Sequence, residues 1–195
     1  MSALESMKKH LVPGQAYRRS ELALLSSNVD RNLQSLLKEG FLKKLSTGLY
    51  LAPKKTAFGE ALPEEHSLLE TFLNDDHFVV YSLSQFNSLG LGSTQVYNSR
   101  IVFNRKRTGQ LTVAGRAYSF KLWREAPKTL TEEFLVVELL NRINELAEDR
   151  ESLLKKLQEK LPTYNRAKLH KAASRFGTLS TQKKLKALLQ EQQEA

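Results

Sequence analysis

Two short helical segments followed by a glycine-centred hairpin, between residues 17 and 53, constrain the fold of this chain more than any other feature. The first segment ends at Leu25, and Ser26-Ser27-Asn28 interrupts the apolar pattern. The second segment repeats apolar residues at the i, i+4, i+7, i+8 spacing of one helix face; they are Val29, Leu33, Leu36 and Leu37. Gly40 supplies the left-handed residue that is predicted to end this helix.

The predicted hairpin has its strands at residues 41–45 and 49–52, joined by a turn at Ser46-Thr47-Gly48. Ser27 is the predicted N-cap of the second helix. Asp30, which would repel phosphate, is expected to cap that helix or to orient Arg31. Helix, turn, helix and hairpin in this order predict a winged helix-turn-helix, which presents its second helix and its wing to a DNA duplex.

The rest of the chain predicts an α+β protein in which a mixed α/β domain with a helical C-terminus follows the winged helix. Prolines and glycine near residue 60 indicate a linker. Beyond it, helical and apolar segments surround three strand candidates at residues 96–104, 110–113 and 116–123, and a helix is predicted at 132–147. The predicted divisions are a winged helix-turn-helix domain at 1–53, a linker at 54–63, a mixed α+β domain at 64–147 and basic helices at 148–195.

The composition favours an anionic partner, since the 195 residues carry a formal net charge of +9. Apolar residues make up 41% of the chain, enough for a packed core. With no cysteine, disulfides and thiolate metal sites are excluded. No apolar run approaches the roughly 20 residues that a membrane span needs, and the amino terminus lacks a signal-peptide core. We therefore expect a cytoplasmic protein with no membrane partner.

Three sequence segments carry a resemblance to a known family: Val29-Asp30-Arg31-Asn32-Leu33-Gln34-Ser35-Leu36, then Gly48-Leu49-Tyr50-Leu51-Ala52-Pro53, and Leu89-Gly90-Leu91-Gly92-Ser93-Thr94-Gln95-Val96. The chain resembles the AbiEi-type antitoxins of bacterial type IV toxin–antitoxin systems over roughly residues 1 to 150. This resemblance implies a cytoplasmic, DNA-binding repressor of its own promoter. It also implies a second domain that counters a nucleotidyltransferase-like toxin without a required direct contact.

The exposed side of the second helix would enter the major groove, leading with its N-terminal residues. Arginine can donate two hydrogen bonds to guanine, and asparagine can bond adenine in both directions. The base-contacting candidates are therefore Asn28, Arg31 and Asn32. The candidates for the DNA backbone are Arg18, Arg19, Gln34, Ser35, Lys38, Lys43, Lys44 and Thr47. The alternative is that these side chains only solvate an exposed surface.

A second basic cluster, Arg105, Lys106 and Arg107, is predicted to lie on a hairpin turn at residues 104–109. It is either a secondary nucleic-acid contact or a charged edge that discourages strand-to-strand aggregation. The sequence alone leaves these two interpretations open.

Catalytic and metal sites find little support in the sequence. His66 lies beside two glutamates and His77 beside Asp75 and Asp76, but neither cluster has ligand spacing, and neighbours on a helix point apart. The Gly90–Ser93 segment lacks the lysine of a phosphate loop. We expect no catalytic residue, no metal and no cofactor.

The function expected from the sequence is sequence-specific repression of transcription, without enzyme activity. The partner would be double-stranded DNA at the protein's own promoter, bound as paired half-sites because one such domain covers few base pairs. Three alternatives remain open: an adaptor that uses the winged helix for protein contacts, a general nucleic-acid-binding protein without antitoxin activity, and an enzyme that acts on nucleic acid through its second domain. Both a monomer and a dimer are compatible with the sequence.

Overall fold

The computed structural model describes residues 2–91 and 96–191. Part of one segment that carries the family resemblance, Gly92 to Gln95, lies outside the described residues, as do residues 192–195. Within the described ranges the fold is α+β, and the chain from Arg150 onward is helical. The α+β class and the helical C-terminus expected from the sequence are thereby confirmed.

The elements follow one another along the chain. The α-helices are α1 (Ala3–His10), α2 (Arg19–Ala23), α3 (Val29–Lys38), α4 (Glu65–Leu73), α5 (Glu132–Asn141), α6 (Arg150–Lys160), α7 (Arg166–Phe176) and α8 (Leu179–Glu191). The strands are β1 (Ala16–Arg18), β2 (Lys43–Ser46), β3 (Leu49–Leu51), β4 (Lys54–Thr56), β5 (Gly59–Ala61), β6 (Phe78–Ser82), β7 (Arg100–Asn104), β8 (Gly109–Val113) and β9 (Arg116–Leu122). Two 3-10 helices, Leu83–Leu89 and Leu161–Thr163, complete the list.

The chain divides into two compact units. The first comprises the described residues up to Phe78 together with Lys106–Phe120. The second comprises Val79–Arg105 and the chain from Lys121 onward. The residues that the sequence grouped into one mixed domain at 64–147 are thus distributed over both units.

A small core joins α1, α2 and α3 to an antiparallel sheet of order β1-β3-β2 in the first unit. The apolar face of α3 supplies much of this core, and its members are Met7, Tyr17, Leu22, Val29, Leu33, Leu36, Leu42, Tyr50 and Ala52. Gly40 (φ +79°) follows α3, and Gly48 (φ +73°) lies in the turn between β2 and β3. Both take the left-handed conformation that glycine adopts without a steric penalty.

The start of α3 differs from the prediction by one residue. Asn28, not Ser27, precedes the first helical residue. The hydroxyl that serves this turn belongs to Ser26, whose Oγ accepts the backbone N–H of Asn28 at 3.1 Å. A one-residue displacement of this kind is common at helix ends, because neighbouring serines compete for the same backbone donors.

The segment predicted as a linker forms a short antiparallel hairpin, in which Lys54 pairs with Ala61 and Thr56 with Gly59. The Thr56 hydroxyl donates to the Gly59 carbonyl at 2.7 Å and closes the turn. Helix α4 then begins after Glu64, whose carboxylate accepts the backbone N–H groups of His66 and Ser67. Carboxylates at this position satisfy donors that the first helical turn leaves unpaired.

The predicted hairpin at residues 104–109 was wrong. In the described part of the chain, β7 lies between β6 and β9 in a sheet of order β6-β7-β9-β8, whereas β8 pairs with β9 through the turn at Ala114-Gly115. The segment between Asn104 and Gly109 therefore connects two strands that belong to different compact units. Turn-forming residues alone do not show which strand a following strand pairs with.

The second unit packs helix α5 against α7, with aromatic rings at the centre of its core. Phe134 makes edge-to-face contacts with Phe103 and Phe176, at centroid distances of 5.4 and 5.1 Å. The helix predicted at 132–147 ends at Asn141, and Arg142 beyond it leaves helical geometry (φ −114°, ψ 13°). The Asn141 side-chain amide donates to the Phe176 carbonyl at 2.9 Å and accepts the Thr178 N–H at 3.0 Å.

No helix in the described ranges combines the length and apolar character needed to cross a membrane.

Candidate nucleic-acid interface

Helix α3 presents a polar face to solvent. Its apolar residues Val29, Leu33 and Leu36 are between 0% and 6% exposed, and they fix the rotation of the helix about its axis. The exposed residues on the other side are Asn28, Arg31, Gln34 and Lys38. At 1.5 Å per residue they extend over roughly 15 Å, a length that a major groove can receive.

Asn32 differs from the other two base-contacting candidates. Its side chain is half-buried, and its Nδ2 donates to the Ser26 Oγ at 2.8 Å. The same nitrogen lies 3.7 Å from the Met7 sulfur in the core. This amide therefore fixes the turn between α2 and α3, which leaves Asn28 and Arg31 as the exposed base-contacting candidates.

Asp30 neither caps α3 nor orients Arg31. Its carboxylate accepts two hydrogen bonds from Arg19, at 2.8 Å from Nε and 2.5 Å from Nη2. This hydrogen bonding and the opposite charge raise the pKa of the Arg19 guanidinium and lower the pKa of the Asp30 carboxyl. Arg19, a predicted phosphate ligand, thus has an acidic partner that holds its side chain beside the first turn of α3.

Arg18, the second predicted phosphate ligand in this region, is half-buried. Its Nη1 donates to the carbonyls of Thr71 at 3.3 Å and Phe72 at 3.0 Å. These carbonyls belong to the last turn of α4, where the helix leaves acceptors unpaired and carries partial negative charge. The sequence did not indicate this structural role, because the donor and acceptors are more than 50 residues apart.

The β2–β3 hairpin presents Lys44 on strand β2 and Thr47 in its turn to solvent. Lys43, in contrast, forms an ion pair with Glu60 in the β4–β5 hairpin, with Nζ and Oε2 3.1 Å apart. Ser35 is half-buried, and its hydroxyl donates to the carbonyl of Arg31 at 3.3 Å. Of the backbone candidates on α3 and the β2–β3 hairpin, Gln34, Lys38, Lys44 and Thr47 are exposed, and so is Lys43, although its ammonium group already has Glu60 as an acidic partner.

The basic cluster at residues 105–107 does not act as one patch. Arg105 belongs to the second compact unit and is exposed. Lys106 donates to the carbonyl of Asn74 just beyond α4, and the Arg107 guanidinium lies 4.6 Å from the centre of the Phe72 ring. Two of the three cations thus contact the C-terminal end of α4, a role that neither interpretation of the sequence included.

An open basic cleft of about 270 Å³ lies in the first unit. Eight residues line it: Arg18, Arg19, Ser20, Thr47, Gly48, Leu49, Phe72 and Arg107. Ser20 and Phe72 were not among the predicted site residues, because no local pattern connects them with the wing. The cleft joins arginines from two distant parts of the chain to the tip of the wing.

Asp75, Asp76 and His77 bring three ligand-type atoms within 4.8 Å of one another. The expectation that neighbouring residues would diverge applied to a helix, but these residues lie in the turn after α4. His77 Nδ1 is 2.7 Å from an oxygen of Asp76, and the His77 backbone N–H donates to Asp75 at 3.0 Å. Hydrogen bonds within the turn account for this geometry.

Comparisons with known proteins provide one useful likeness. No family model matches the chain, and no curated protein sequence matches it. Among solved structures, the fold is similar to that of the RV2827C protein from Mycobacterium tuberculosis, with a TM-score of 0.57. The alignment covers 96% of this chain and 74% of that one, at 14% sequence identity. At this identity the likeness concerns the fold alone.

Proposed function

We propose that this protein is a sequence-specific DNA-binding repressor whose first unit acts as a winged helix-turn-helix. The observation that carries the proposal is the division of α3 into an apolar face, closed against the sheet, and a polar face, open to solvent. The turn between β2 and β3 supplies the wing. A helix held in this way can enter a major groove while the wing lies along the neighbouring backbone.

Asn28 and Arg31 are the base-contacting residues in this proposal. Asn28 lies at the start of α3, and Arg31 lies one turn further along the same exposed side. Arginine distinguishes guanine through its O6 and N7 acceptors, and asparagine distinguishes adenine through its N6 and N7 atoms. Gln34, Lys38, Lys44 and Thr47 then contact phosphates, which position the helix without specifying the sequence.

The biological role that we propose is autorepression by the antitoxin of a type IV toxin–antitoxin pair, in the cytoplasm of a bacterium. This part rests on the sequence resemblance to AbiEi-type antitoxins. The DNA partner is the promoter of the protein's own gene, with paired half-sites, and a nucleotidyltransferase-like toxin is the functional partner. Direct contact with that toxin is not required by the proposal.

Fluorescence anisotropy tests the DNA-binding part, using the duplex upstream of the protein's gene against a scrambled duplex at two salt concentrations. We expect the upstream duplex to bind about a hundredfold more tightly or better. Arg31→Ala should reduce specific affinity by roughly 10- to 100-fold, because one bidentate base contact is lost. Arg124→Ala, an exposed arginine of the second unit with the same change in charge, is the matched control.

The outcomes separate the alternatives. Equal and steeply salt-dependent binding to both duplexes would instead support a general nucleic-acid-binding protein, since phosphate contacts carry no sequence information. Absence of binding at moderate salt would overturn the repressor and favour the adaptor. Equal losses in Arg31→Ala and Arg124→Ala would remove α3 from the base-contacting role.

A further inference from the structure

We propose that the basic cleft, defined above by its eight lining residues, is a binding site for a phosphate group. Three of those residues are arginines, and two others, Ser20 and Thr47, carry hydroxyl groups. A guanidinium presents its donors in a planar fork that matches two phosphate oxygens at once, which an ammonium group does not. Hydroxyl donors are a common complement to arginine around phosphate.

Each arginine of the cleft is held by a different contact. Arg18 is held by the terminal carbonyls of α4, Arg19 by the carboxylate of Asp30, and Arg107 by the face of the Phe72 ring. Among these contacts, the Asp30 carboxylate carries a full negative charge, whereas the α4 carbonyls and the Phe72 ring carry only partial charge. Since the guanidinium groups are positioned before a ligand arrives, little side-chain entropy is lost on binding.

The frame around the cleft is also fixed by backbone contacts. The Arg19 N–H donates to the Gly48 carbonyl at 2.9 Å, which joins the wing turn to the start of α2. Gly48 carries no side chain and has space around its Cα, so a ligand can approach the backbone there.

Two sources can supply the phosphate: the backbone of a DNA duplex that contacts the wing, or a free phosphate group. The DNA source deepens the proposed function and rests on it, whereas the free source does not. Both sources present the same chemical group to the cleft. Arg107 distinguishes this cleft from an ordinary contact between a wing and DNA. It comes from a chain segment more than 50 residues beyond the wing.

The first arm of the test titrates inorganic phosphate into the full-length protein at constant ionic strength, with chloride as the reference. Backbone amide NMR shifts are followed at Arg19, Thr47 and Gly48. We expect saturable shifts with a Kd in the millimolar range, reduced at least fivefold in affinity by Arg107→Gln and by Thr47→Val. Arg105→Gln, which removes a nearby charge that does not line the cleft, is the matched control and should leave the Kd unchanged.

The second arm measures DNA binding as a function of salt. If the phosphate belongs to DNA, Arg107→Gln should weaken binding to the upstream and scrambled duplexes equally. It should also reduce the slope of log K against log salt by about 0.9. Saturable phosphate binding without this change in slope assigns the cleft to a free phosphate group. If the protein shows neither saturable phosphate binding nor the change in salt slope, the phosphate site is overturned, whether or not the protein binds DNA. If only the preference for the upstream duplex fails, the proposed function alone is overturned.

Discussion

Replacing Glu138 by glutamine should destabilise the second unit by about 3 kcal/mol, the lower end of the cost of breaking a buried ion pair. Glu138 is 2% exposed and lies in the middle of α5. Its carboxylate accepts hydrogen bonds from the Tyr81 hydroxyl, from Arg142 Nε at 3.1 Å and from Asn141 Nδ2 at 2.7 Å. Glutamine keeps the size of the side chain but removes the charge, so the Arg142 guanidinium, with its side chain 14% exposed, loses its buried counter-charge.

The expected loss in the free energy of unfolding can be compared with that for a second acidic residue that bonds the same arginine. Glu145 also bonds Arg142, at 2.9 Å, but its side chain is 56% exposed. Exposed ion pairs contribute roughly 0–1 kcal/mol, because water solvates both charges when the pair is absent. Glu145→Gln should therefore change the free energy of unfolding by less than about 1 kcal/mol, which makes it the matched control.

Urea unfolding followed by tryptophan fluorescence measures the difference. The chain has one tryptophan, Trp123, which is 39% exposed and whose ring lies 6.3 Å from Phe103 and 6.4 Å from Phe176, two core residues of the second unit. Fluorescence therefore reports the unit that contains Glu138, and far-UV circular dichroism reports both units. A loss below about 1 kcal/mol for Glu138→Gln, or equal losses for the two glutamines, would refute the assignment of a buried, charge-dependent network.

Two further predictions concern single side chains. Burial, reinforced by the charge of Glu138, raises the pKa of Tyr81 above its ordinary value, so the unfolded chain ionises this group first. The stabilisation is complete below a pH of roughly 10 and declines above it, by up to about 1.4 kcal/mol per pH unit, and Tyr81→Phe should flatten this decline in urea unfolding between pH 9 and 11. Ser26→Ala should lower operator affinity at least as much as Asn32→Ala, because both remove the Asn32–Ser26 hydrogen bond in the turn before α3 and Ser26→Ala also removes the bond from the Asn28 N–H. A clearly larger loss for Asn32→Ala in the anisotropy assay would instead indicate direct contact with a base.

Local sequence patterns were sufficient to predict which face of α3 is buried and which is exposed. The apolar spacing of Val29, Leu33 and Leu36 identified the buried face of α3, and the exposure of Asn28 and Arg31 followed from it. Helical periodicity sorts residues to one face or the other before any long-range contact forms. Side chains that bond across the fold were harder to predict, and Asn32 is the example on α3 itself.

Long-range contacts decided the roles of the cations. Nothing in the sequence distinguishes Arg18, Lys106 and Arg107 from the other basic residues, yet all three contact the end of α4. Their partners are the carbonyls and the ring of residues 71–74, which no local pattern connects with the wing. A charge is visible in a sequence, but its partner is a property of the tertiary structure.

The sequence by itself determined the periodic features of this protein: the helix faces, the glycines with positive φ at Gly40 and Gly48, and the excess of positive charge. These features depend on the backbone and side-chain chemistry of residues within a few positions of one another. Only the tertiary structure decided where α5 ends, which strands pair, and which arginines meet in the basic cleft. Each of those depends on a donor and an acceptor, or two strands, that folding brings together from distant parts of the chain, so the local sequence carries no record of it.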